Sequence, residues 1–154
     1  LSLHDALPIF FLVILAIAQL PGYALAAYGV EKWGRKPTLI GFLLLSAVGT
    51  LAYGLGQTAE IIVAATLLLS FALLGTWGAI YAFTPEIYPT TLRASGMGMA
   101  GSVARFGGLL APSIVAPLMT SNFGLALGVI SGLLVVAAVS VWLINAESKD
   151  QVLE

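Results

Sequence analysis

The chain has 154 residues, 60% of them hydrophobic and 8% charged, and a formal net charge of −1. Charged residues supply about a quarter of an ordinary soluble domain, so this composition excludes one and makes lipid the solvent for most of the chain. The charge balance gives no case for a nucleic-acid partner. Without cysteine there are no disulfides or thiolate metal sites, and the single histidine, His4, cannot build a histidine metal centre.

Residues 1–8, LSLHDALP, start at Leu1 rather than methionine and hold the only histidine beside an acid. They lack the basic leading region and small-residue cleavage site of a signal peptide. The expectation is a fragment that begins mid-protein, with residues 1–8 a non-native leader translated from a sequencing adapter.

An apolar run of about 20 residues crosses the hydrocarbon core as a helix. Five such runs follow, at residues 9–30, 38–56, 61–84, 94–118 and 123–144. Continuous apolarity over this length argues against a membrane barrel, whose strands are alternating segments of about 10 residues. The breaks between the runs carry nearly all the charge. The first holds Lys32, Arg35 and Lys36, the third Arg93 and the tail Lys149, whereas the second and fourth hold no Lys or Arg. Alternate loops are therefore basic, which places the first and third breaks and the C-terminal tail, residues 145–154, on the cytoplasmic side.

The spans differ in character. The first carries Gln19, the Pro21-Gly22 pair and Tyr23, giving it a polar side and an expected kink. The second and fifth are nearly featureless and read as lipid-facing. The third carries Thr66, Ser70, Thr76, Trp77 and Tyr81. In the fourth, Gly96, Ala100, Ala104 and Gly108 recur every fourth residue, a stripe expected to let another helix approach closely. Pro85 and Pro89 are expected to end the third helix.

Arg105 stands out. It lies 12 residues past Arg93, about 18 Å along a helix and so near the middle of a core ~30 Å thick. Its helical neighbours Gly98, Gly101, Ser102, Gly108 and Leu109 are mostly too small to shield it. A charge at that depth needs a watery cavity or a partner side chain. A substrate contact and a structural ion pair with an acid outside this chain are both open readings. Gln19, Tyr23, Trp77 and Tyr81 are candidates for the same cavity, since aromatics with polar tips offer a stacking face and a hydrogen bond. Ordinary packing and interfacial belts explain such residues equally well. Glu60 opens a helix, where a carboxylate favours the N-terminus, and is read as structural.

Residues 31–36, EKWGRK, resemble the loop signature of the major facilitator superfamily: acid, basic, any residue, Gly, Arg, basic. That loop lies between helices two and three and, in a weaker copy, between eight and nine. Ala27 stands where the family has its leading glycine, which fits the weaker copy. PEIYPTTLRASGMG (85–98), then Ala104-Arg105-Phe106-Gly107-Gly108 and Pro112, resembles the loop and eleventh helix of the sugar-porter and organic-ion branches. The nearest likeness is to organic ion, aromatic acid and nicotinate-type carriers. Glu147-Ser148-Lys149-Asp150 resembles a degraded form of their ETKG ending, with Asp150 in place of glycine.

The resemblance covers residues 9–154. It implies an all-α membrane protein whose five transmembrane helices form most of the C-terminal half of a twelve-helix transporter. It implies a multi-pass protein of the cell membrane, working by alternating access on a small organic solute bound at the midplane between two halves. Its partners would be that solute, the bilayer, protons and the N-terminal half of the same transporter. No metal and no cofactor are implied. In the related organic-anion carriers the arginine matching Arg105 contacts the substrate, so an organic or aromatic carboxylate with proton coupling is the first reading. A sugar porter, or a transporter-like membrane protein that only binds partners, is the alternative. The resemblance further implies a cytoplasmic latch of loop charges: Glu31, Lys32, Gly34, Arg35, Lys36, Glu86 and Arg93. Glu86 and Arg93 are expected to pair with each other or with charges in the missing half, or to stand as solvated interfacial charges. An intramembrane enzyme is disfavoured, because no Ser-His constellation and no acid pair lies within a span.

Overall fold

A computed structural model describes residues 3–144, with side chains from Pro8 onward. These residues form five helices: α1 Leu3–Lys32, α2 Arg35–Leu55, α3 Ala59–Ile87, α4 Arg93–Ser121 and α5 Phe123–Leu143. Each is long and apolar enough to cross a membrane. The all-α reading therefore stands. The tail, with its ETKG-like ending, lies outside the described residues.

α3 and α4 have 29 residues each, or about 43 Å of helix against a hydrocarbon core of ~30 Å. Their ends stand in the headgroup layer, which is why windows of pure apolarity underestimate them. Pro85 does not end α3 as expected. The helix runs through it to Ile87, and Tyr88 is the first extended residue. Proline removes one backbone donor and bends a helix without having to stop it. The chain turns at Pro89, whose carbonyl accepts from the Leu92 N–H. Pro8 and Pro21 likewise lie inside an unbroken α1.

Short connections fix the order. Gly34 separates α1 from α2 with φ of 103°, the one positive φ among the described residues, in a region that a side chain strains. Its carbonyl accepts from the Thr38 hydroxyl at 2.7 Å. Asn122 serves two helices: its N–H donates to the Leu118 carbonyl to close α4, and its side-chain oxygen accepts from the Leu125 N–H to open α5.

The packing is uneven. α3 is wedged between α1 and α2, which make little contact with each other, and α5 lies along the far side of α2. Gly22 of α1 sits directly on the Phe71 carbonyl of α3, and the Phe42 ring of α2 covers the Gly75 backbone of α3. α2 is thus lipid-facing along one stripe only, through Leu44, Val48, Leu51 and Leu55. It is the most enclosed helix, burying Thr38, Phe42, Leu43, Ser46, Ala47 and Thr50. Ser131 of α5 donates across to the Ala47 carbonyl at 3.0 Å. Lipid and protein neighbours are equally apolar, so composition alone cannot separate them. α4 departs in the other direction, with no buried residue among the described helices. Gly96 meets the Tyr88 ring, while Gly98, Gly101, Gly107 and Gly108 face open space.

Gly22→Ala forces a methyl group onto a backbone carbonyl, and overpacking of this kind costs about 1–3 kcal/mol. Thermal unfolding in detergent is expected to shift down by several degrees for that variant. Gly41→Ala, where nothing lies within 4 Å, should leave it unchanged.

Candidate functional site

Two constellations emerge, one at an end of the bundle and one in an open groove on its flank. At the end, Arg35 in the first turn of α2 forms an ion pair through Nε with Glu86 Oε2 in the last turn of α3, both groups about three-quarters or more shielded. The Arg35 N–H is not aimed along the contact, so the attraction is Coulombic rather than a hydrogen bond. Lys36 donates from Nζ to the Ile144 carbonyl at 2.7 Å, capping the C-terminal end of α5. These contacts bring the first break, the third break and the end of α5 to the same side of the bundle, the arrangement that the alternation of basic loops calls for.

The expected latch residues thus separate. Glu86 pairs with Arg35, not with Arg93. Arg93 is half-buried, and its Nε has no hydrogen-bond partner among the described residues. A cation in the first turn of a helix also opposes the macrodipole, so Arg93 calls for an anion. Lys32 packs on its own helix, donating to the Tyr28 hydroxyl and lying 5.1 Å from the centroid of that ring. Glu31 is exposed, and Gly34 supplies the turn.

The second constellation is a cavity of about 560 Å³ between α3 and α4. From α3 it is lined by Trp77, Ile80, Tyr81 and Thr84, and from α4 by Met97, Ala100, Gly101, Ala104, Arg105 and Gly108. Contrary to the expectation of a close helix contact, the small-residue stripe receives none of the described helices; Ala100, Ala104 and Gly108 hollow out this space instead. Trp77 and Tyr81, one turn apart, stack with ring centroids 5.6 Å apart and planes inclined by 28°. Among the described residues, the Trp77 indole, the Tyr81 and Thr84 hydroxyls and the Arg105 guanidinium form no hydrogen bond or ion pair. An aromatic shelf and a cation therefore share one concave space with their polar capacity unused.

Three of the five cavity candidates, Trp77, Tyr81 and Arg105, come together here. Gln19 and Tyr23 do not line it. Tyr23 packs its ring over Gly78 on α3, and Gln19 is partly buried on α1. Thr84 was not among the candidates, although its spacing of three from Tyr81 and seven from Trp77 puts it on the same helix face. Among the described residues no cluster of acids and histidines could hold a metal ion.

The sequence pattern of the Major Facilitator Superfamily matches residues 3–153. The chain belongs to this family. It is 44% identical over 114 residues to the niacin transporter NiaP of Acinetobacter baylyi, a match covering 74% of this chain and 26% of that protein. It is 34% identical over 146 residues to the putative niacin/nicotinamide transporter NiaP of Bacillus subtilis, covering 94% of this chain and 36% of the relative. To an organic cation transporter protein of Drosophila melanogaster it is 33% identical over 102 residues, covering 65% and 19%. The chain thus spans 26% to 36% of the length of the two bacterial relatives. Membership makes it part of a multi-pass membrane protein of a transporter family, not an enzyme.

Reversing one charge of the Arg35–Glu86 pair replaces attraction by repulsion at a partly shielded site. Arg35→Glu or Glu86→Arg alone is expected to lower stability by about 1 kcal/mol or more, and the double exchange to recover most of it. A double-mutant cycle on thermal unfolding measures the coupling, and additivity would mean that the pair contributes nothing.

Proposed function

We propose that the full-length protein carrying this segment is a secondary transporter of a small aromatic carboxylate, nicotinate in kind, working by alternating access. The observation that carries this reading is one cavity holding the Arg105 guanidinium, without an ion pair among the described residues, beside a stacked Trp77–Tyr81 pair. A buried cation is tolerated where it meets an anion, and a guanidinium engages a carboxylate through two parallel N–H···O bonds. The ring of the ligand would lie against Trp77 or Tyr81. A cavity of about 560 Å³ falls in the ordinary range for small-molecule sites. The two bacterial relatives named for niacin transport support the same class.

A neutral sugar fits less well, since hexose sites rely on amide and hydroxyl contacts and Arg105 would be left without its counter-charge. A cationic solute would be repelled. Proton coupling belongs to this proposal as well. Among the described residues the acids sit at helix ends, Asp5, Glu31, Glu60 and Glu86, so a coupling carboxylate would come from the rest of the protein. Arg35 and Glu86 would latch the cytoplasmic side, and Arg93 would take an acid of the other half when that side closes. The tail would lie in the cytoplasm, and the protein in the cell membrane.

The test is uptake of labelled nicotinate and glucose by the full-length carrier, beside Arg105→Gln and Arg105→Lys. Loss of a charge-assisted contact predicts nicotinate uptake lowered by roughly 30-fold or more in Gln, with part of it kept in Lys. Loss of folding in the Gln variant would make Arg105 a structural ion-pair partner, and glucose uptake without nicotinate uptake would overturn the substrate class.

A further inference from the structure

We propose that Thr84 determines specificity within this cavity: its hydroxyl donates a hydrogen bond to an acceptor on the ligand ring, at the end away from the carboxylate held by Arg105. The proposal rests on the carboxylate reading of the cavity and deepens it, by assigning the residue that recognises the ring heteroatom.

The first observation is a hydroxyl that, like those of Ser70 and Ser95, makes no hydrogen bond among the described residues, although most hydroxyls within these helices do. Thr38, Ser46, Thr50, Thr66, Thr76 and Ser140 each donate to the carbonyl four residues back, at 2.7–2.9 Å. That back-bond is the usual way for a helix in an apolar solvent to satisfy a hydroxyl. Thr84 could do the same with Ile80. It lines the cavity, half-buried, and among the described residues makes no hydrogen bond.

The second observation is its neighbour. Pro85 has no N–H, so the Tyr81 carbonyl lacks its helical donor. That carbonyl lies three residues before Thr84, a further acceptor in the same turn. Thr84 passes over it too. Two acceptors within its own helix stay unused by the hydroxyl of a residue that lines the cavity.

Position gives the third. α3 and α4 run antiparallel from the 88–92 connection, so Thr84 and Met97 mark one end of the cavity and Trp77 and Gly108 the other. Seven residues separate Thr84 from Trp77, about 10 Å along the axis. Arg105 lies toward the Trp77 end, and the stacked ring pair fills the interval. A flat single ring on that shelf, with its carboxylate on the guanidinium, turns its far half toward Thr84, including the position meta to the carboxylate that the nitrogen of nicotinate occupies. The flexible arginine side chain spans the remaining distance. A ring nitrogen there accepts from the hydroxyl, whereas a C–H leaves it unpaired. A site built to hydrogen-bond one ligand discriminates against the analogue that lacks the group.

The experiment compares uptake of labelled nicotinate and benzoate by the full-length carrier, its Thr84→Val variant, which keeps the shape, and its Thr84→Ser variant, which keeps the hydroxyl. The expected result is a nicotinate KM raised about tenfold in Val. Benzoate KM should stay within about twofold of wild type, and Ser should behave as wild type. Equal effects on both substrates, no effect on either, or a destabilised Val variant without a split between the two would overturn the role of Thr84. Wild-type uptake of both acids with no response to Thr84→Val overturns this proposal alone; uptake of neither acid overturns the substrate reading beneath it as well.

Discussion

In lipid, packing leucine against leucine gains almost nothing over leaving it against an acyl chain, so helices associate where their backbones can come close. In this protein that constraint falls on α3. Gly22 lies on the Phe71 carbonyl, Gly78 lies under Tyr23 and Ala26, and the ring of Phe42 covers Gly75. Three small residues on two helices let α3 fill the space between α1 and α2, which would otherwise have little to join them. Every later feature depends on that wedge. It sets the rotation of α3, and the rotation decides that Trp77, Tyr81 and Thr84 face α4 while Ala72, Ala79 and Phe83 are buried.

The two constellations lie at opposite ends of the same helix face logic. Near the end of α3, Glu86 is held by Arg35 one loop away, in a layer where water screens both charges in part. Along α4, Arg105 has no such partner among the described residues and stands exposed in the groove that faces α3. The contrast explains why one arginine reads as a fastener and the other as a contact awaiting an anion. Pro85 links the two regions. It lies next to Glu86 on one side and strips a donor from the Tyr81 carbonyl on the other, so the α3 segment that carries the ion pair also carries the polar edge of the cavity.

The comparison of α2 with α4 shows where sequence reading reaches its limit. α2 looked featureless and proved the most enclosed helix, because Ser46 and Thr50 hide their hydroxyls by bonding back to their own carbonyls and then behave as small apolar groups. α4 looked built for tight contact, yet its alanines and glycines leave room for a cavity. A small residue can mean a close neighbour or a deliberate gap, and only the placement of the neighbouring helix distinguishes them. Tyr23 is a further case: it sits on a polar-looking helix, and its ring lies over Gly78 rather than along the cavity.

The sequence by itself determined the number of helices and their order, because these follow from apolar length and from the charged breaks between the runs. The signatures at 31–36 and 85–108 carried the family as well. Tertiary structure alone decided that Glu86 meets Arg35, that Gln19 and Tyr23 stand outside the cavity, and that Thr84 stands within it. Those facts depend on how each helix is rotated about its own axis. In an apolar solvent that rotation is set by shape and close backbone approach between helices, which no single helix encodes.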